Sequence, residues 1–413
     1  MTLLLEKFGD TIVITQEIMM AMVSRWWCGR EMMTLLLEKF GDEIEITQEL
    51  VMAAATNETM IVLLERYADE VEITPKVVMA VAQSQWSETM ALLLKMYGDK
   101  VEITEDVVVA AVGNPNCGIM ALLLEMYGDT LEVTQEVVIS AAQYGEEEMM
   151  ALLLKHYGGK IEITENVFMA AAANSHSGIM AFLLEMYGDT LEVTPHVVML
   201  AVGNPMSGIS IMTLLLEKFG DKIEITEEVI LAAANNAEDA GELIALLLET
   251  GGDKVEITQD VVKAVAGNDS CGERTMTLLL EEYRDEIEIT QEVFMTAAGR
   301  GSVETVAYLL KKQSDKVKIT QEVVKAAAGN SLNGKEIIGL LLEEYRDEIE
   351  ITQEVVVIVA GNTRSSTMAL LLRKCGDQVE ITQEVVMAAE RSEESGMMAL
   401  LLEKRGDEVM TYM

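Results

Sequence analysis

Hydrophobic residues recur along this chain in two alternating kinds of block. One is a leucine triplet with small or polar flanks, as in MTLLLEKF at residues 33–40, and the other is a run of valine and alanine, as in VVVAAV at residues 107–112. Within the blocks, apolar residues stand three and four positions apart, a spacing typical of helices that bury one face. The alternation therefore predicts pairs of helices repeated from one end of the chain to the other.

A threonine preceded by isoleucine or valine marks every repeat. It stands at Thr15, Thr47, Thr74, Thr104, Thr134, Thr164, Thr194, Thr226, Thr258, Thr290, Thr320, Thr352 and Thr382, with 27 to 32 residues between successive copies. Such a period is typical of helical-repeat proteins. We predict a single right-handed, all-α solenoid of about 13 helix–turn–helix units over residues 1–413, with incomplete units at 1–10 and 397–413.

The same threonine predicts where the first helix of each unit begins. Threonine is a good N-cap, and Pro75 and Pro195 directly follow it, at the helical position where proline is best tolerated. A glutamate two positions after the threonine, such as Glu49 after Thr47, is stabilised by the positive end of the helix dipole. The second helix is predicted to end at a glycine such as Gly98 or Gly128, and a short extended D-x-V/I-E-I/V step then leads to the next threonine.

A first helix ending in Ala327-Ala328, a loop, and GKEIIGLLLE at residues 334–343 resemble the second half of an ankyrin repeat. Two departures matter. Only about five residues separate Asp42 from Thr47, too few for the ankyrin β-hairpin finger, and a TQEV-type sequence replaces the TPLH signature. Over essentially the whole chain, the units are more specifically similar to the nearly identical ankyrin-like repeats at the C-terminus of fungal NOD-like receptors, the STAND proteins with a central NACHT or NB-ARC ATPase. The resemblance implies a protein-binding array that senses a ligand for such a receptor.

The predicted terminal units suggest an alternative function. Residues 1–9 form a second helix without a first helix before it, and residues 406–411 stop where another first helix would begin. Solenoids normally carry polar capping units at their ends. We therefore expect either a segment of a longer protein or, as the alternative, a structural protein that self-assembles end to end into oligomers or filaments.

The charge of the chain limits the class of partner. It has 70 acidic and 30 basic residues, a net charge of −40, which argues against nucleic acid and against anionic membranes. A protein partner is expected, and a basic one is favoured. No apolar run approaches the roughly 18 residues of a membrane helix. The four cysteines form no CxxC pair, which favours free thiols in a reducing, cytoplasmic compartment.

Two patterns in the sequence resemble functional sites, a phosphate-binding loop and a zinc site. Residues 329–335 spell G-x-x-x-x-G-K, but Glu336 stands where a phosphate-binding loop needs Ser or Thr, and a helix precedes the stretch. His156, His176 and His196 are spaced by 20 residues across a repeat of about 30, so they fall on a helix end, a loop and a helix start rather than on one zinc site. We therefore predict no enzyme activity, no cofactor and no metal.

The turn after each second helix is acidic in copy after copy. Successive packed helices lie about 8–10 Å apart, close to the Debye length of about 8 Å, so repulsion between copies is damped but not removed. This predicts an acidic ridge along one edge, which either keeps the solenoid soluble or receives a basic partner or a weakly bound divalent cation. Its members are Asp42, Glu43, Glu45, Asp99, Glu102, Asp285, Glu286 and Glu288.

The loops between the two helices of a unit carry most of the variation among repeats, and all three tryptophans. Aromatic residues at loop tips are frequent anchors of protein recognition, although drift at tolerant loops is the alternative. The predicted partner-binding residues are Trp26, Trp27, Trp86, Tyr144 and His176. Methionines cluster before the leucine triplet, as at Met60, and before the alanines, as at Met52; we interpret both as core filling, with an adaptable methionine groove as the alternative.

Overall fold

The computed structural model describes residues 15–23, 29–41, 44–189, 193–251, 256–283, 287–313, 317–392 and 396–412. The chain divides into two compact units, unit one with residues 1–192 and unit two with residues 193–413. Over the described ranges, the structure has 26 α-helices and no strand. The predicted all-α repeat fold is therefore confirmed.

In unit one, odd-numbered helices are the first helices that follow the threonines, and even-numbered helices are the second helices. The first helices are α1 (Gln16–Val23), α3 (Gln48–Ala55), α5 (Pro75–Gln83), α7 (Glu105–Val112), α9 (Gln135–Tyr144) and α11 (Glu165–Ala173). The second helices are α2 (Gly29–Phe40), α4 (Thr59–Arg66), α6 (Ser87–Tyr97), α8 (Gly118–Tyr127), α10 (Glu147–Tyr157) and α12 (Gly178–Tyr187).

Unit two continues the same alternation. Its first helices are α13 (Pro195–Gly203), α15 (Glu227–Ala234), α17 (Gln259–Ala266), α19 (Gln291–Arg300), α21 (Gln321–Gly329), α23 (Gln353–Ala360) and α25 (Gln383–Arg391). Its second helices are α14 (Gly208–Phe219), α16 (Ala240–Gly251), α18 (Gly272–Glu282), α20 (Val303–Gln313), α22 (Gly334–Glu344), α24 (Ser366–Lys374) and α26 (Met397–Val409).

Each unit is built from two layers of helices. First helices pack beside the first helices of neighbouring repeats, as α3, α5, α7, α9 and α11 do, and second helices pack beside second helices, as α2, α4, α6 and α8 do. Between the layers lie the valines and alanines of the first helices and the leucines of the second, such as Val107, Ala111, Leu93 and Leu123, all buried. A single repeat could not bury these side chains alone, so each repeat is stabilised by its neighbours.

The threonines stand at the N-cap of the first helices as predicted, and in some repeats their side chains make the capping hydrogen bond. Thr47, Thr134, Thr258 and Thr290 are extended, and each side chain accepts a hydrogen bond from the backbone N–H three residues further on. Such caps stabilise a helix start by about 1 kcal/mol. The N-cap threonine is likewise extended, but without this side-chain bond, at Thr74, Thr104, Thr164, Thr194, Thr226, Thr320, Thr352 and Thr382. The shared start of the first helices keeps their exposed positions in register.

The connection from a second helix to the next first helix is short. Glycines Gly128 and Gly220 follow α8 and α14 with φ of 47° and 52°, a backbone region that favours glycine. A turn of 3₁₀-helix comes next, as at Gly128–Thr130, and an extended step then reaches the threonine. This connection leaves no room for a β-hairpin finger, as the sequence predicts.

Candidate partner-binding surfaces

Most of the variable loops contain a buried or half-buried asparagine ten residues after the threonine, which we call the loop asparagine; serine stands there at Ser84 and Ser392. In unit one, the Asn174 amide donates to the carbonyl oxygens of Ala142 and Gly145 in the preceding repeat (3.0 and 3.1 Å). Its Oδ1 accepts from the backbone N–H of His176 at 2.8 Å, so one side chain shapes its own loop and holds the loop before it. Bonds to the preceding repeat are also made by Asn57, Asn114, Asn236, Asn268, Asn330 and Asn362.

Tyr144 and Arg300 replace the loop asparagine in two repeats, and there the first helix continues through the exposed residue. Tyr144 is therefore the last residue of α9 and not a loop residue, which corrects the sequence prediction. The reason is the following glycine. A Cβ on Gly145 would lie 3.0 Å from the Val112 carbonyl oxygen of the preceding repeat, and one on Gly301 would lie 2.3 Å from that of Ala266. The glycines let two backbones approach where the asparagine otherwise bridges them.

A second set of hydrogen bonds links the starts of the first helices. The Gln135 amide donates to Oγ1 of Thr164 in the next repeat at 2.8 Å, and Gln321 and Gln353 repeat this contact. Where glutamate replaces glutamine the direction reverses, and Thr258 donates to the Glu227 carboxylate at 2.6 Å. The threonine was predicted from the sequence, but the bond from this glutamine was not. Its signal was present, because glutamine or glutamate directly follows eleven of the thirteen threonines.

A groove of about 680 Å³ crosses three successive loops of unit one. Its lining consists of Val23, Ala53, Thr56, Asn57, Gln83, Ser84, Gln85, Asn114 and Pro115. Trp86 directly follows this lining, half-buried at the start of α6. His176 is exposed in the Asn174 loop, and neither it nor Tyr144 lines the groove. Trp26 and Trp27 lie outside the described residues. Of the predicted anchors within the described residues, none lines this groove, and their role in binding stays a prediction.

The predicted acidic ridge is only partly within the described structure. Glu45, Glu102 and Glu288 are exposed. The backbone of Asp99 is described but its side chain is not, and Asp42, Glu43, Asp285 and Glu286 lie outside the described residues. A continuous ridge therefore stays a prediction.

The two methionine positions prove different. Met60, Met90, Met120, Met180 and Met276, before the leucine triplets, are fully buried, as core filling predicts. The second position, which we call the mid-helix position, is where Val109 stands five residues after Thr104, and it lies on the exposed face of the first helices. It is half-buried and apolar in all six repeats of unit one, with Met20, Met52, Met79, Val109, Ile139 and Met169. In unit two it holds Met199, Leu231, Lys263, Met295, Lys325, Val357 and Met387.

The two lysines at the mid-helix position of unit two each bridge acidic residues of neighbouring repeats. Lys263 Nζ lies 2.7 Å from Asp260 and 3.5 Å from Glu292. Lys325 Nζ lies 3.0 Å from Glu322 and 2.6 Å from Glu354. These contacts raise the pKa of both ammonium groups, chiefly through the hydrogen bond to Asp260 for Lys263 and to Glu354 for Lys325.

The second helices show the same contrast on the opposite layer. Met96, Met126 and Met186 of unit one are 41 %, 50 % and 59 % exposed near the ends of α6, α8 and α12. Lys39, Arg66 and His156 stand at this place in the other three repeats of unit one. The residues at the same place in unit two are Lys218, Thr250, Glu282, Lys312, Glu344, Lys374 and Lys404. Three of six repeats in unit one therefore present a methionine at this place, where unit two has charged residues and one threonine.

The remaining chemical groups do not converge. The histidines lie where predicted, with His156 in the last turn of α10, His176 in a loop and His196 at the start of α13. In the described ranges, no three His, Cys, Asp or Glu side chains are placed to hold a metal ion. Burial raises the pKa of the Cys117 and Cys375 thiols, which disfavours the reactive thiolate. Among these same residues, no helix has the length and hydropathy needed to cross a membrane.

The phosphate-loop-like stretch is a helix junction. The backbone N–H of Gly334 donates to the Asn330 carbonyl oxygen at 2.9 Å, and a Cβ on Gly334 would lie 2.8 Å from the carbonyl oxygen of Ala327. Gly334 therefore permits close packing of α22 on α21. Asn330 is a loop asparagine, bonded to the preceding repeat.

The class that this architecture defines is an all-α helical-repeat protein. The chain belongs to the family described as "Domain of unknown function (DUF7104)", which matches it in thirteen consecutive segments. They are residues 3–33, 35–60, 62–90, 92–119, 122–150, 152–180, 182–212, 214–243, 246–276, 278–302, 309–337, 340–367 and 370–398.

Among solved structures, the chain is similar to the crystal structure of the pentatricopeptide repeat protein PPR10 from maize, at 13 % identity and a TM-score of 0.35. That match covers 98 % of this chain and 65 % of the maize chain. No relative among curated proteins matches the chain.

Proposed function

We propose that this protein is a protein-binding repeat scaffold whose specificity lies in its loops and exposed helix faces. The observation that carries this proposal is the groove over three loops of unit one, which is lined by Gln83, Gln85, Thr56 and Pro115. Glutamine side chains both donate and accept hydrogen bonds, so they can pair with the backbone of an extended peptide. Asn57 and Asn114 hold the loops that form the walls of this groove.

The contrast between residues that recur in every repeat and residues that vary supports the same proposal. Most recurring residues of the repeat form the core, the caps and the hydrogen bonds between repeats, and the recurring acidic residues at the starts of the first helices, such as Asp106 and Glu136, are exposed. The positions that change from repeat to repeat are exposed. Binding sites in helical-repeat proteins are surfaces built from such positions across several repeats.

The test is an unbiased selection of binders from a displayed peptide library, followed by affinity measurement on variants of the full chain. Gln83→Ala with Gln85→Ala, and separately Trp86→Ala, should weaken the selected binders about tenfold or more if they occupy the groove. Trp26→Ala and Trp27→Ala extend the series to the remaining predicted anchors. The matched control is Ser331→Ala with Leu332→Ala, an exposed loop of unit two. Failure to select any binder, or equal loss in the control, would overturn the proposal.

A finer form of the proposal makes the chain the sensing array of a fungal NOD-like receptor. The resemblance of its repeats to those arrays supports this role. The genomic sequence upstream of Met1 should then encode an in-frame NACHT or NB-ARC ATPase. A stop codon directly upstream in the transcript would contradict it.

Self-assembly is the second candidate, favoured by the exposed apolar residues at the last helix. Leu402, Met410 and Tyr412 are 40 %, 67 % and 45 % exposed. Light scattering over a range of protein and salt concentrations tests this candidate. A mass that grows with salt, which screens the acidic charge, supports assembly, whereas a constant monomer mass excludes it.

A further inference from the structure

The mid-helix position of unit two shows what the acidic residues at the starts of first helices can bind. Asp260 and Glu292 stand at the same place in neighbouring repeats, and the ammonium of Lys263 lies between them. Glu322 and Glu354 hold Lys325 in the same way. Unit two thus contains two internal examples of a cation seated between carboxylates of adjacent first helices.

Unit one has the carboxylates of this arrangement without the lysine. Asp106 of α7 and Glu136 of α9 stand where Asp260 and Glu292 stand in unit two, and both are exposed. Val109 occupies the place of Lys263, and Ile139 and Met169 follow it as half-buried apolar residues on α9 and α11. The result is an apolar stripe with carboxylates beside it.

Acidic side chains predominate around this stripe. Glu102, Glu105, Glu132 and Glu165 are exposed at the starts of α7, α9 and α11. The exposed lysines nearby in sequence are Lys76 on α5 and Lys100 and Lys160 in the connections before α7 and α11. A surface with an excess of one charge attracts and orients oppositely charged partners. A second copy of this chain, with net charge −40, is repelled by such a surface.

We propose that the exposed face of α7, α9 and α11 binds a basic amphipathic helix of a partner protein. The apolar side of that helix would cover Val109, Ile139 and Met169, and a lysine or arginine would take the place between Asp106 and Glu136. This inference rests on the proposed scaffold function and adds the chemistry of the partner. Helix-in-groove binding uses such an apolar stripe, and methionine adapts to the shape of what covers it.

The experiment measures binding of the full chain to a fluorescein-labelled peptide of leucine and lysine, about 18 residues long, with the leucines along one helical face. A peptide of the same composition without that face, and one with glutamate for lysine, are the probe controls. The test variant is Val109→Lys with Ile139→Lys, which places the lysine of unit two in unit one. The control variant is Met126→Lys with Met186→Lys, which adds the same charge to the second-helix layer.

We expect the first-helix lysines to weaken peptide binding about tenfold or more, because they neutralise the carboxylates and shorten the apolar stripe. The second-helix lysines should change the affinity by less than about twofold, because only distant charge has changed. Lys263→Met with Lys325→Met should add peptide-binding capacity in unit two. Both lysine variants should fold, since lysine already occupies the mid-helix position in two repeats and Met126 and Met186 are exposed.

Three results would overturn the inference: equal weakening by the two lysine variants, equal binding of the peptide without an apolar face, or no binding of the amphipathic peptide. Each of these is distinct from failure of the scaffold function. A library selection that still yields binders would leave the scaffold function standing and would reject the basic helix as the partner.

Discussion

Unit one and unit two are built from the same repeat, yet they present different surfaces. Their buried positions agree closely, with valine and alanine on the first helices, leucine on the second, and an asparagine in most loops. Their exposed positions differ, since Val109 and Met126 of unit one correspond to Lys263 and Glu282 of unit two. Packing between repeats therefore restricts which residues can occupy the buried positions. The exposed positions make fewer of these contacts, so their residues differ between the two units.

The exposed methionines of unit one are not explained by stability. A side chain that remains about half exposed, such as Met126 or Met186, gains only part of the burial energy of a core methionine. Exposed apolar residues that lie together can mark an interaction surface. We therefore treat the difference between the two units as a hypothesis that each unit contacts a different surface outside itself.

The largest expected effect tests whether the inner positions of the two units are equivalent. Asn174→Ala in unit one and Asn330→Ala in unit two should each lower the free energy of unfolding by about 2–4 kcal/mol, because buried carbonyl groups of the preceding repeat lose their donor. Urea unfolding measures the loss, and hydrogen–deuterium exchange should rise in the preceding loop. The control is Asn235→Ala, an exposed asparagine, with an effect under about 0.5 kcal/mol. A loss confined to one unit would break the equivalence.

A smaller effect is expected at the glycines that replace the loop asparagine. Gly301→Ala in unit two should cost about 1–3 kcal/mol, and Gly145→Ala in unit one somewhat less, because the added Cβ meets a backbone oxygen at 2.3 Å and 2.6 Å respectively. Gly203→Ala is the matched control, since nothing lies within 4 Å of a Cβ there. Thermal unfolding ranks the three variants. A control as damaging as Gly301→Ala would show that contact of the added Cβ with a backbone oxygen does not govern these sites.

Two buried threonines on second helices sharpen the comparison further. The Thr89 hydroxyl of unit one is buried without a hydrogen-bond partner among the described residues, whereas Thr275 of unit two donates to the Cys271 carbonyl oxygen at 3.0 Å. Thr89→Val should therefore stabilise the protein by about 1 kcal/mol, and Thr275→Val should be neutral or destabilising by a similar amount. The denaturant midpoints of both variants, compared with wild type, measure these two changes in stability. Equal shifts would mean that the Thr89 hydroxyl has a partner in solution.

The smallest effect concerns the charge that only unit two carries at its mid-helix position. Because Glu354 and Glu322 raise the pKa of Lys325, the folded chain holds this proton more strongly than the unfolded chain. The resulting stabilisation is complete below the unfolded lysine pKa of about 10.4 and disappears as the pH rises through the higher folded pKa. The stability difference between wild type and Lys325→Met should therefore shrink at strongly alkaline pH. A difference that is the same at pH 7 and above about pH 11 would contradict this.

The sequence predicted most of the local structure because the signals are local. The threonine caps, the glycine stops and the helix pairs follow from residues within a few positions of one another, as at Thr134 and Gly128. The loop boundary at Tyr144 was wrong because it depends on contact across repeats. Gly145 lies against the carbonyl oxygen of Val112, a residue of the preceding repeat.

The candidate site was less predictable than the fold. The groove is lined by Gln83 and Gln85 and not by the predicted anchor Trp86, which follows them in sequence, and neither glutamine was predicted as a binding residue. The glutamines after the threonines and the loop asparagines were missed as a group, although both recur in register. Their partners lie about one repeat away in sequence, as in the bond from Gln135 to Thr164. Recurrence could have identified them, but only the folded chain shows what they bond.

By itself, the sequence determined the period of the repeat, the start of each first helix, and a net charge that favours basic partners. These follow from spacing, capping and composition, which need no knowledge of distant contacts. The tertiary structure alone decided which methionines are core and which lie on a surface, for example buried Met120 and exposed Met126. Both occur on α8, and only the packing of neighbouring helices determines which side of α8 is covered.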